Sequence, residues 1–581
     1  MKEKIENILK KNRFRKYKLF LFANIINFFL EFISLISIPI FIASIISPEK
    51  LFLKIKDLEK IFGYEIGFIS NENIVIYAAS LAVLSFYIKN FFIGVQTFKE
   101  KQFYKNFNLS YKKFFFKHYV DMPYLLHTQK NPSELVRGTL YDVRNASLYL
   151  EHFCILARDI ISLIVIFFIS SLVSLTNTLA ILIIFLILVF FYLKLIKPKI
   201  KKKATANQDL EKTIIKTLNE TYSAIKDIIV LSKQNYIKSN FEEKIKIYEK
   251  NRFFFILSNK FPKIIMELTA ISLIITISVS YYLITKDPQT LLNILSINVV
   301  LILRFIPAFN SITLSYGFLK MFTPSVNFLN NQINEIEKIG KENEIVFNKF
   351  DEKPINKNFI SIEDLSYKYP DTEKLHINNF NFEINKGEMI GVTGETGSGK
   401  TTLIHLLLGL ITPIKGNIFY NGKSVFKNLN TWRKDVGYIS QDIFLLDSTI
   451  RENITFNQNK ENEKEAFLYQ CIEASKLKDK IETLPNKIDT NVGVHGLELS
   501  GGERQRIAIA RTLYKNPKII FMDEFTSALD LETEKDILQN LIKIKKEKAF
   551  VIISHKLSTL KYCDKVFNIK NGRISKINEN I

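Results

Sequence analysis

The sequence predicts a multidomain membrane protein in which a six-helix, all-α membrane domain precedes an α/β domain. Apolar residues are concentrated before position 320 of the 581-residue chain, in runs long enough to cross a bilayer. From about Ile360 onward, short β-branched runs alternate with helical patterns, which is typical of an α/β domain. We expect a membrane domain at 1–320, a polar linker at 321–358 and the α/β domain at 359–581.

Composition supports the membrane assignment. The chain is 47% hydrophobic and has a formal charge of +22, which suits a membrane protein with basic loops or a nucleic-acid binder. Because the apolar residues cluster in one part of the chain, we favour the membrane protein and expect no nucleic-acid partner. Cys154, Cys471 and Cys563 are scattered without a CxxC pair, so neither a structural disulfide nor a zinc site is expected.

Six stretches have the length and apolarity of membrane spans: 19–47, 73–98, 153–175, 178–195, 256–283 and 291–318. The first is too long for a signal-peptide core, so we expect an uncleaved span. The long segments after spans two and four are Lys-rich, and one contains KPKIKKK at 197–203. The positive-inside rule places these segments and both termini in the cytoplasm. Their helical periodicity predicts that they extend the spans beyond the membrane.

The connection between spans one and two contains an amphipathic pattern. In KLFLKIKDLEKIF, Leu51, Ile55, Leu58 and Phe62 fall on one helical face. The pattern indicates a short helix in the outer membrane interface or an ordinary amphipathic helix packed on protein.

The second domain contains a sequence typical of a phosphate-binding loop. The strand-like MIGVT continues into GETGSGKTT, which matches G-x-x-x-x-G-K-[ST]. Glycines allow backbone N–H groups to surround phosphates, and the following helix points its positive end at them. The predicted ATP-binding residues here are Gly394, Glu395, Thr396, Gly397, Ser398, Gly399, Lys400, Thr401 and Thr402. Lys400 would reach the β- and γ-phosphates, and Thr401 would join a Mg²⁺ shell.

A second motif supplies two carboxylates. KIIFMDE reads as a buried strand that ends in Asp523 and Glu524. Ligands bind at the carboxyl ends of parallel strands, so both side chains are expected at the nucleotide. Asp523 is predicted to hold Mg²⁺, and Glu524 to polarise the attacking water.

LSGGERQR at 499–506 resembles the signature of ATP-binding cassette (ABC) proteins, and the whole chain resembles an ABC exporter half-transporter. The resemblance implies that Ser500 and Gly502 cap the γ-phosphate of ATP held by an opposite subunit, and that Gly501 between them is also an ATP-binding residue. A helix N-terminus that faces phosphates suits this role. The implied partner is a second copy of the chain, and the implied cofactors are ATP and Mg²⁺.

Other family elements follow in order. Tyr369 resembles the aromatic residue that stacks on adenine, although a packed strand tyrosine would look the same. Gln441 resembles the glutamine that contacts Mg²⁺ and the water, Asp530 belongs to a SALD segment like the D-loop, and His555 resembles the switch histidine. Glu524, Gln441 and His555 are thus the predicted catalytic residues, and Thr401, Gln441 and Asp523 the predicted Mg²⁺ ligands.

Two positions depart from the exporter pattern. Val494 in VGVHG stands where exporters usually carry a glutamate, and Phe525 replaces the alanine common after the catalytic glutamate. We expect Val494 to affect how this domain communicates with the membrane helices, and Phe525 to affect only local packing.

Charged residues inside the apolar runs require an explanation. Arg304 in ILRFIPAFN costs at least ~2.5–3.5 kcal/mol near a bilayer centre, and Lys89 and Lys263 also lie in predicted spans. One alternative is that Arg304 pairs with Glu31 or Glu267. The other, which does not exclude such pairing, is that the three basic residues line a cavity and bind an anionic head group. For Lys89 and Lys263 a third alternative is a position near the interface, with the ammonium reaching to water.

The membrane segments FLEFISLISIPI, MPYLLHTQKNPSELVRGT, FPKIIME and RFIPAFNSI resemble bacterial lipid-linked oligosaccharide flippases. MPYLLHTQ also resembles a first coupling helix that would dock near Gln441, unless its apolar face serves only packing.

The resemblance implies an ATP-hydrolysing translocase of the bacterial inner membrane that moves an amphipathic, lipid-linked substrate outward. A broad exporter of lipids, hydrophobic compounds or peptides is the alternative transporter. A non-transporting ATPase or gated regulator is the competing class, which six fused spans disfavour.

Overall fold

A computed structural model describes residues 2–46, 48, 49, 51–53, 56, 73–173, 197–285, 288–347, 359–370, 372–456, 464–493, 496 and 499–577, with isolated residues between 179 and 194. The chain forms two compact units. Met1–Met122 with Lys130–Lys338 make the first, and Pro123–Gln129 with Ile339–Ile581 make the second.

The first unit is all α-helical, as predicted for the membrane domain. The helices up to residue 347 are α1 (Lys2–Ile46), α2 (Ile74–Asp121), α3 (Tyr124–Gln129), α4 (Pro132–Arg137), a π-helix (Gly138–Asp142), α5 (Val143–Val173), α6 (Lys197–Ser223), α7 (Ile225–Val230), α8 (Gln234–Thr285) and α9 (Pro288–Phe347). The short α3 groups with the second unit.

Three helical stretches among the described residues are long and apolar enough to cross a membrane: Tyr17–Ile46, Ile74–Asp121 and Pro132–Ile169. They correspond to the first three predicted spans. The fourth lies mostly outside the described residues, as do most of the predicted outer amphipathic helix and Val494. Spans five and six lie within α8 and α9, which remain helical through Pro262 and Pro307.

A buried polar seam runs between α1 and α2. The Asn27 side-chain amide donates to Gln96 Oε1 at 2.6 Å, and Gln96 Nε2 donates to Asn24 Oδ1 at 2.9 Å and Glu100 Oε1 at 2.7 Å. Because buried amides cost free energy unless they are bonded, these pairs fix how the two helices align.

The π-helix brings together two charges. Arg137 Nε donates to Asp142 Oδ2 at 3.1 Å, and both side chains are buried. Arg137 also donates to the Gln208 carbonyl at 3.1 Å, while Gln208 Nε2 donates to Asp142 Oδ1 at 3.2 Å. The ion pair therefore joins this turn to α6.

Helix α9 differs from the linker predicted for 321–358. It continues to Phe347, and its Phe322, Val326, Leu329 and Ile333 are buried in the core of the first unit. Their spacing of four, three and four residues forms one apolar helical face within a segment whose average composition is polar. The segment up to Lys338 accordingly groups with the first unit.

The second unit has the predicted α/β fold. Its strands are β1 (Ile360–Tyr367), β2 (Ile377–Ile384), β3 (Met389–Gly394), β4 (Lys415–Tyr420), β5 (Lys423–Ser424), β6 (Val436–Ile439), β7 (Ile519–Asp523), β8 (Ala549–Ile553), β9 (Lys565–Lys570) and β10 (Arg573–Lys576). Its α-helices after residue 359 are α10 (Lys400–Leu407), α11 (Leu429–Asp435), α12 (Ile450–Thr455), α13 (Glu465–Ala474), α14 (Lys478–Thr483), α15 (Gly501–Tyr514), α16 (Leu531–Ile544) and α17 (Leu557–Leu560).

Two sheets form the framework of this unit. The smaller is antiparallel, in the order β2-β1-β4-β5, and the larger has the order β10-β9-β3-β8-β7-β6. In the larger sheet β3, β8, β7 and β6 are parallel neighbours. The carboxyl ends of these four strands therefore meet at one edge, where ligands of such sheets bind.

Candidate functional site

The phosphate-binding loop connects β3 to α10 through glycines that no other residue would replace easily. Gly394 and Gly399 have φ of +152° and +112°. A Cβ on Gly394 would lie 2.4 Å from the Ile569 carbonyl oxygen, and one on Gly399 would lie 2.6 Å from the His376 oxygen. Gly397, with φ of +80°, faces open space. The backbone thus forms the cradle predicted from the motif.

Lys400 begins α10 with its ammonium turned into this loop. Nζ donates to the carbonyl oxygens of Gly394 at 2.6 Å and Glu395 at 3.0 Å. Burial lowers the pKa of Lys400, while the nearby Glu524 and Asp523 favour its charged form. The ammonium is therefore held where phosphate oxygens would be, by carbonyl groups that phosphates can replace.

The loop fits the phosphate groups of ATP. Ser398 Oγ is buried and has no hydrogen-bond partner among the described residues, so it is available to a phosphate oxygen. Glu395, Thr396 and Gly397 are exposed and Thr401 also faces solvent, whereas Thr402 is buried. A nucleotide can therefore approach from the open side of the loop.

Asp523 and Glu524 lie at the end of β7, as predicted. Burial raises the pKa of Asp523 above its usual range, the Glu524 charge adds to this effect, and Lys400 opposes it. A Mg²⁺ ion would relieve both causes. No cluster of three or more His, Cys, Asp or Glu side chains suited to a metal occurs among the described residues. A Mg²⁺ ion here would depend on Asp523, Thr401, Gln441 and the phosphates themselves.

Three predicted catalytic side chains meet at the Glu524 carboxylate. Gln441, which follows β6, donates from Nε2 to Glu524 Oε2 at 2.8 Å. His555, which follows β8, places Nε2 3.5 Å from Glu524 Oε1. Glu524 itself has φ of +46°, a left-handed conformation that costs a non-glycine residue ~1–2 kcal/mol. Strain of this kind is typical of functional sites.

Ser500 caps the signature helix α15. Its hydroxyl accepts from the Glu503 amide at 3.2 Å, and the Glu503 carboxylate accepts from the Ser500 amide at 2.7 Å. A Cβ on Gly502 would lie 3.0 Å from the Ala528 carbonyl oxygen, and one on Gly501 would lie 3.3 Å from Ala528 Cβ. Glycines thus let α15 start directly against the SALD segment, with Ser500 exposed at its N-terminus.

Tyr369 and Asp530 have local partners. The Tyr369 hydroxyl lies 3.4 Å from Thr402 Oγ1, and its ring meets His376 edge-on at 5.0 Å between centroids. The ring is thus at the start of α10, a position that suits either adenine stacking or packing. Asp530 caps α16 by accepting from the Thr533 amide at 2.9 Å, and this bond lowers the pKa of Asp530.

Sequence reasoning missed two buried residues, Gln505 and Glu534. Gln505 contacts the turn after Glu524, and Glu534 contacts the segment after His555. Gln505 is buried, accepts from the Ala528 amide at 3.1 Å and lies 3.5 Å from the Glu524 carbonyl oxygen. Glu534 is a buried carboxylate on α16. Gln505 lies inside the LSGGERQR segment, but no local sequence pattern assigns these contacts to Gln505 or Glu534.

The predicted substrate-binding charges are in different surroundings. Lys89 is buried with its ammonium 5.0 Å from the Phe86 ring centroid. Lys263 lies 3.6 Å from Glu267, one turn away on α8. Arg304 lies on the helical backbone of α9, and its side chain is outside the described part. Glu267, one of the two candidate partners of Arg304, thus has a second possible partner in Lys263.

Helix α3 contains the segment expected to act as a coupling helix. The Tyr124 ring meets the His405 ring edge-on at 5.1 Å between centroids. Burial raises the pKa of Tyr438, three residues before Gln441, to about 12, and the nearby Asp523 and Tyr124 add to this effect. This helix therefore lies close to the strand that leads to Gln441.

Comparisons with known proteins agree with this geometry. The ABC transporter transmembrane region model matches residues 68–306, and the ABC transporter model matches residues 377–527. Together they account for more than half of the chain. A bacterial Atm1-family ABC exporter with ATP bound has the same fold, with a TM-score of 0.71 and 19% identity over 96% of this chain and 94% of that one.

Curated relatives match over shorter segments. An ATP-dependent lipid A-core flippase of Burkholderia orbicola is 36% identical over 37% of this chain and 36% of its own length. The leukotoxin translocation ATP-binding protein LktB of Mannheimia haemolytica is 40% identical over 38% of this chain and 31% of its own length. The mitochondrial iron-sulfur clusters transporter ABCB7 of Danio rerio is 36% identical over 37% of this chain and 29% of its own length.

The alignments thus span about a third of these relatives' lengths. The two domain models, the exporter fold and the convergence of Gln441 and His555 on Glu524 agree with one another. The chain belongs to the ABC transporter family and has the fold of its exporters.

Proposed function

We propose that this chain is an ATP-driven exporter or flippase. The observation that carries the proposal is the meeting of Gln441 and His555 at the Glu524 carboxylate. Glu524 would polarise a water for attack on the γ-phosphate, with Gln441 holding the carboxylate and His555 contacting the phosphate. Mg²⁺, when bound, would neutralise phosphate charge. Because the same chain carries long apolar helices, the free energy of hydrolysis would drive movement across a membrane.

A homodimer follows from the signature helix. Ser500 is exposed and caps α15, so the positive end of this helix is open to a phosphate from outside the copy. The end of the short helix α7 also exposes Ile229 and Val230, as well as Leu231 directly after it, and Val230 is 81% exposed. A second copy would cover such a surface. Both ATP sites would be complete in the dimer.

The chain would reside in the bacterial inner membrane with both termini in the cytoplasm. The Lys-rich extensions of α2 and α6, including Lys199 and Lys202, support this orientation. The nucleotide-binding unit would then face the cytoplasm, where ATP is available.

We infer that the substrate is amphipathic and lipid-linked, with a lipid-linked oligosaccharide as the best candidate. Support comes from the flippase-like segments in the first, fifth and sixth spans and from the basic residues Lys89, Lys263 and Arg304. Lysine keeps the charge that a pyrophosphate requires but lacks the planar fork of arginine. The curated relatives include a lipid flippase, a toxin translocator and an iron-sulfur transporter, so a broad exporter is the second candidate.

Hydrolysis is tested with purified protein in nanodiscs by phosphate release. We expect Mg²⁺-dependent turnover that Lys400→Ala abolishes, because the ammonium then no longer reaches the phosphates. A wild-type protein that binds ATP without turning it over would point instead to a gated regulator.

The dimer is tested by cross-linking Thr396→Cys to Ser500→Cys, in a chain whose native Cys154, Cys471 and Cys563 are replaced by alanine. Both engineered positions are exposed. In a head-to-tail dimer, oxidation should give an intermolecular product that increases with ATP. The single Cys variants are the controls. A product that forms equally without ATP, or none at all, would contradict the shared site.

A further inference from the structure

The carboxylate of Glu534 is buried behind the catalytic site. It lies on α16 with a relative exposure of 2% and belongs to none of the nucleotide motifs. It accepts hydrogen bonds from Lys556 Nζ at 3.0 Å, Ser558 Oγ at 3.1 Å and Thr559 Oγ1 at 2.6 Å. All three donors lie within a few residues after His555 in the chain. The segment after His555 is therefore anchored to one carboxylate.

Lys556 extends this anchor to the turn after Glu524. Its ammonium also donates to the Thr526 carbonyl oxygen at 2.7 Å, two residues beyond Glu524. The Lys556 backbone amide donates to Ser554 Oγ at 3.0 Å, which fixes the turn that carries His555. One side chain thus connects the chain segments that follow β7 and β8.

The connection through Lys556 links the two loops that carry the predicted catalytic residues Glu524 and His555. His555 Nε2 and Glu524 Oε1 lie 3.5 Å apart, and each side chain belongs to a loop rather than to a regular element. A backbone bond from the Glu524 amide to the Ile553 oxygen joins the ends of β7 and β8, and one from the Ser527 amide to the Glu524 oxygen closes the turn after Glu524. The bonds of Lys556 join the two loops, and Glu534 holds Lys556 in place.

Because the Glu534 carboxylate is buried, its negative charge requires the pairing with Lys556. A carboxylate removed from water is stable only when it is paired and hydrogen-bonded, and Glu534 satisfies both conditions. Without Glu534, Lys556 can turn to solvent, since its side chain is 38% exposed. The bond to Thr526 would then compete with water. The backbone bond between Glu524 and Ile553 would remain, but the loops that carry the His555 and Glu524 side chains would lose their side-chain connection through Lys556.

We propose that Glu534 is a positioning residue for ATP hydrolysis, acting through Lys556 to fix His555 relative to Glu524. The inference rests on the proposed hydrolytic function. A displacement of about 1 Å at a catalytic group can lower the rate ~100-fold, so a roughly tenfold or larger fall in kcat is expected for Glu534→Gln. The KM for ATP should change less than twofold, because the phosphate loop and Tyr369 are attached to other elements.

The test compares kcat, KM and thermal stability in nanodiscs for wild type, Glu534→Gln, Lys556→Met, the double variant and Lys556→Arg. Glu532→Gln, an exposed carboxylate on the same helix, is the matched control. Rates are expressed per ATP-binding protein. We expect the two single variants to lose kcat alike, the double variant to be no worse than either, and Lys556→Arg to retain at least half of the wild-type kcat.

The outcomes separate two failures. A wild-type protein without hydrolysis overturns the proposed function and this role with it. An active wild type whose Glu534→Gln variant keeps its kcat overturns the positioning role alone. The positioning role is also overturned if kcat falls only in proportion to folded protein, or if the two single effects multiply in the double variant. Lys556→Met provides the comparison if Glu534→Gln does not fold.

Discussion

The side-chain amide of Gln441 donates a hydrogen bond to the Glu524 carboxylate at 2.8 Å, although the two residues follow different strands. Gln441 follows β6 and Glu524 follows β7, and these strands are parallel neighbours. His555 follows β8, which lies between β7 and the strand that carries the phosphate loop. The adjacent strands β3, β8, β7 and β6 therefore bring the phosphate loop, His555, Glu524 and Gln441 to one edge of the sheet.

Glu524→Gln should lower kcat for ATP hydrolysis by ~100- to 10,000-fold, the range expected when a general base is removed. ATP affinity should persist because Lys400 and the loop remain. Phosphate release and nucleotide binding measure the two effects separately. Turnover close to the wild-type rate would show that another group activates the water.

Gly394→Ala should abolish nucleotide binding and lower stability, since its Cβ would lie 2.4 Å from the Ile569 oxygen. Gly397→Ala is the matched control, because that position has positive φ but open surroundings. Its expected cost is only ~1–2 kcal/mol. Thermal unfolding and ATP titration distinguish the variants. Equal effects at both positions would rule out the steric explanation.

Asp523→Asn should raise the melting temperature of the nucleotide-free protein at neutral pH. The pKa of Asp523 is raised in the folded state, so its contribution to stability is complete below the unfolded value, ~3.9, and is lost as pH rises through the folded pKa. The advantage of the variant should therefore develop over that interval and persist above it. Melting curves from about pH 4 to pH 8 follow how this advantage develops with pH. An advantage that is constant with pH would contradict the prediction.

The same Asp523→Asn variant should lose the extra stabilisation that Mg²⁺ adds to ATP. The amide removes the anion that the cation would neutralise. ATP alone should stabilise the variant at least as well as wild type. If Mg²⁺ still adds its full effect, Asp523 is not a ligand.

Asp142→Asn should destabilise the first unit by about 3–5 kcal/mol, because it leaves the buried Arg137 charge without its partner. Glu242→Gln breaks the exposed pair with Lys246 and should cost about 0.5 kcal/mol or less. The free energies of unfolding of both variants and the wild type, measured in nanodiscs, provide the comparison. A similar, small effect for both would mean that Arg137 is held mainly by the Gln208 carbonyl.

Local motifs predicted where the candidate nucleotide-site residues lie relative to the strands, because each motif combines a strand end with the residues that follow it. The glycines of the phosphate loop and the acids after β7 could be recognised without the fold. Gln505 and Glu534 could not, since their roles depend on packing between α15, α16 and two loops. The sequence carries no local mark of such contacts.

The first unit was predicted only in outline. Apolar length predicts spans, but the π-helix was not foreseen, because positions Arg137 and Asp142 lie about 140° apart on an ideal α-helix. The wider turn brings them together. Likewise, the polar average of 321–338 concealed the apolar face of α9.

The most direct test of the flippase proposal is ATP-dependent translocation of a fluorescent lipid-linked oligosaccharide in liposomes that contain the purified protein. Arg304→Ala and Glu524→Gln accompany the wild type. We predict transport by wild type, none by Glu524→Gln, and loss of transport with retained ATP hydrolysis for Arg304→Ala. Hydrolysis by wild type without movement of the glycolipid would contradict the flippase assignment and favour the broad exporter.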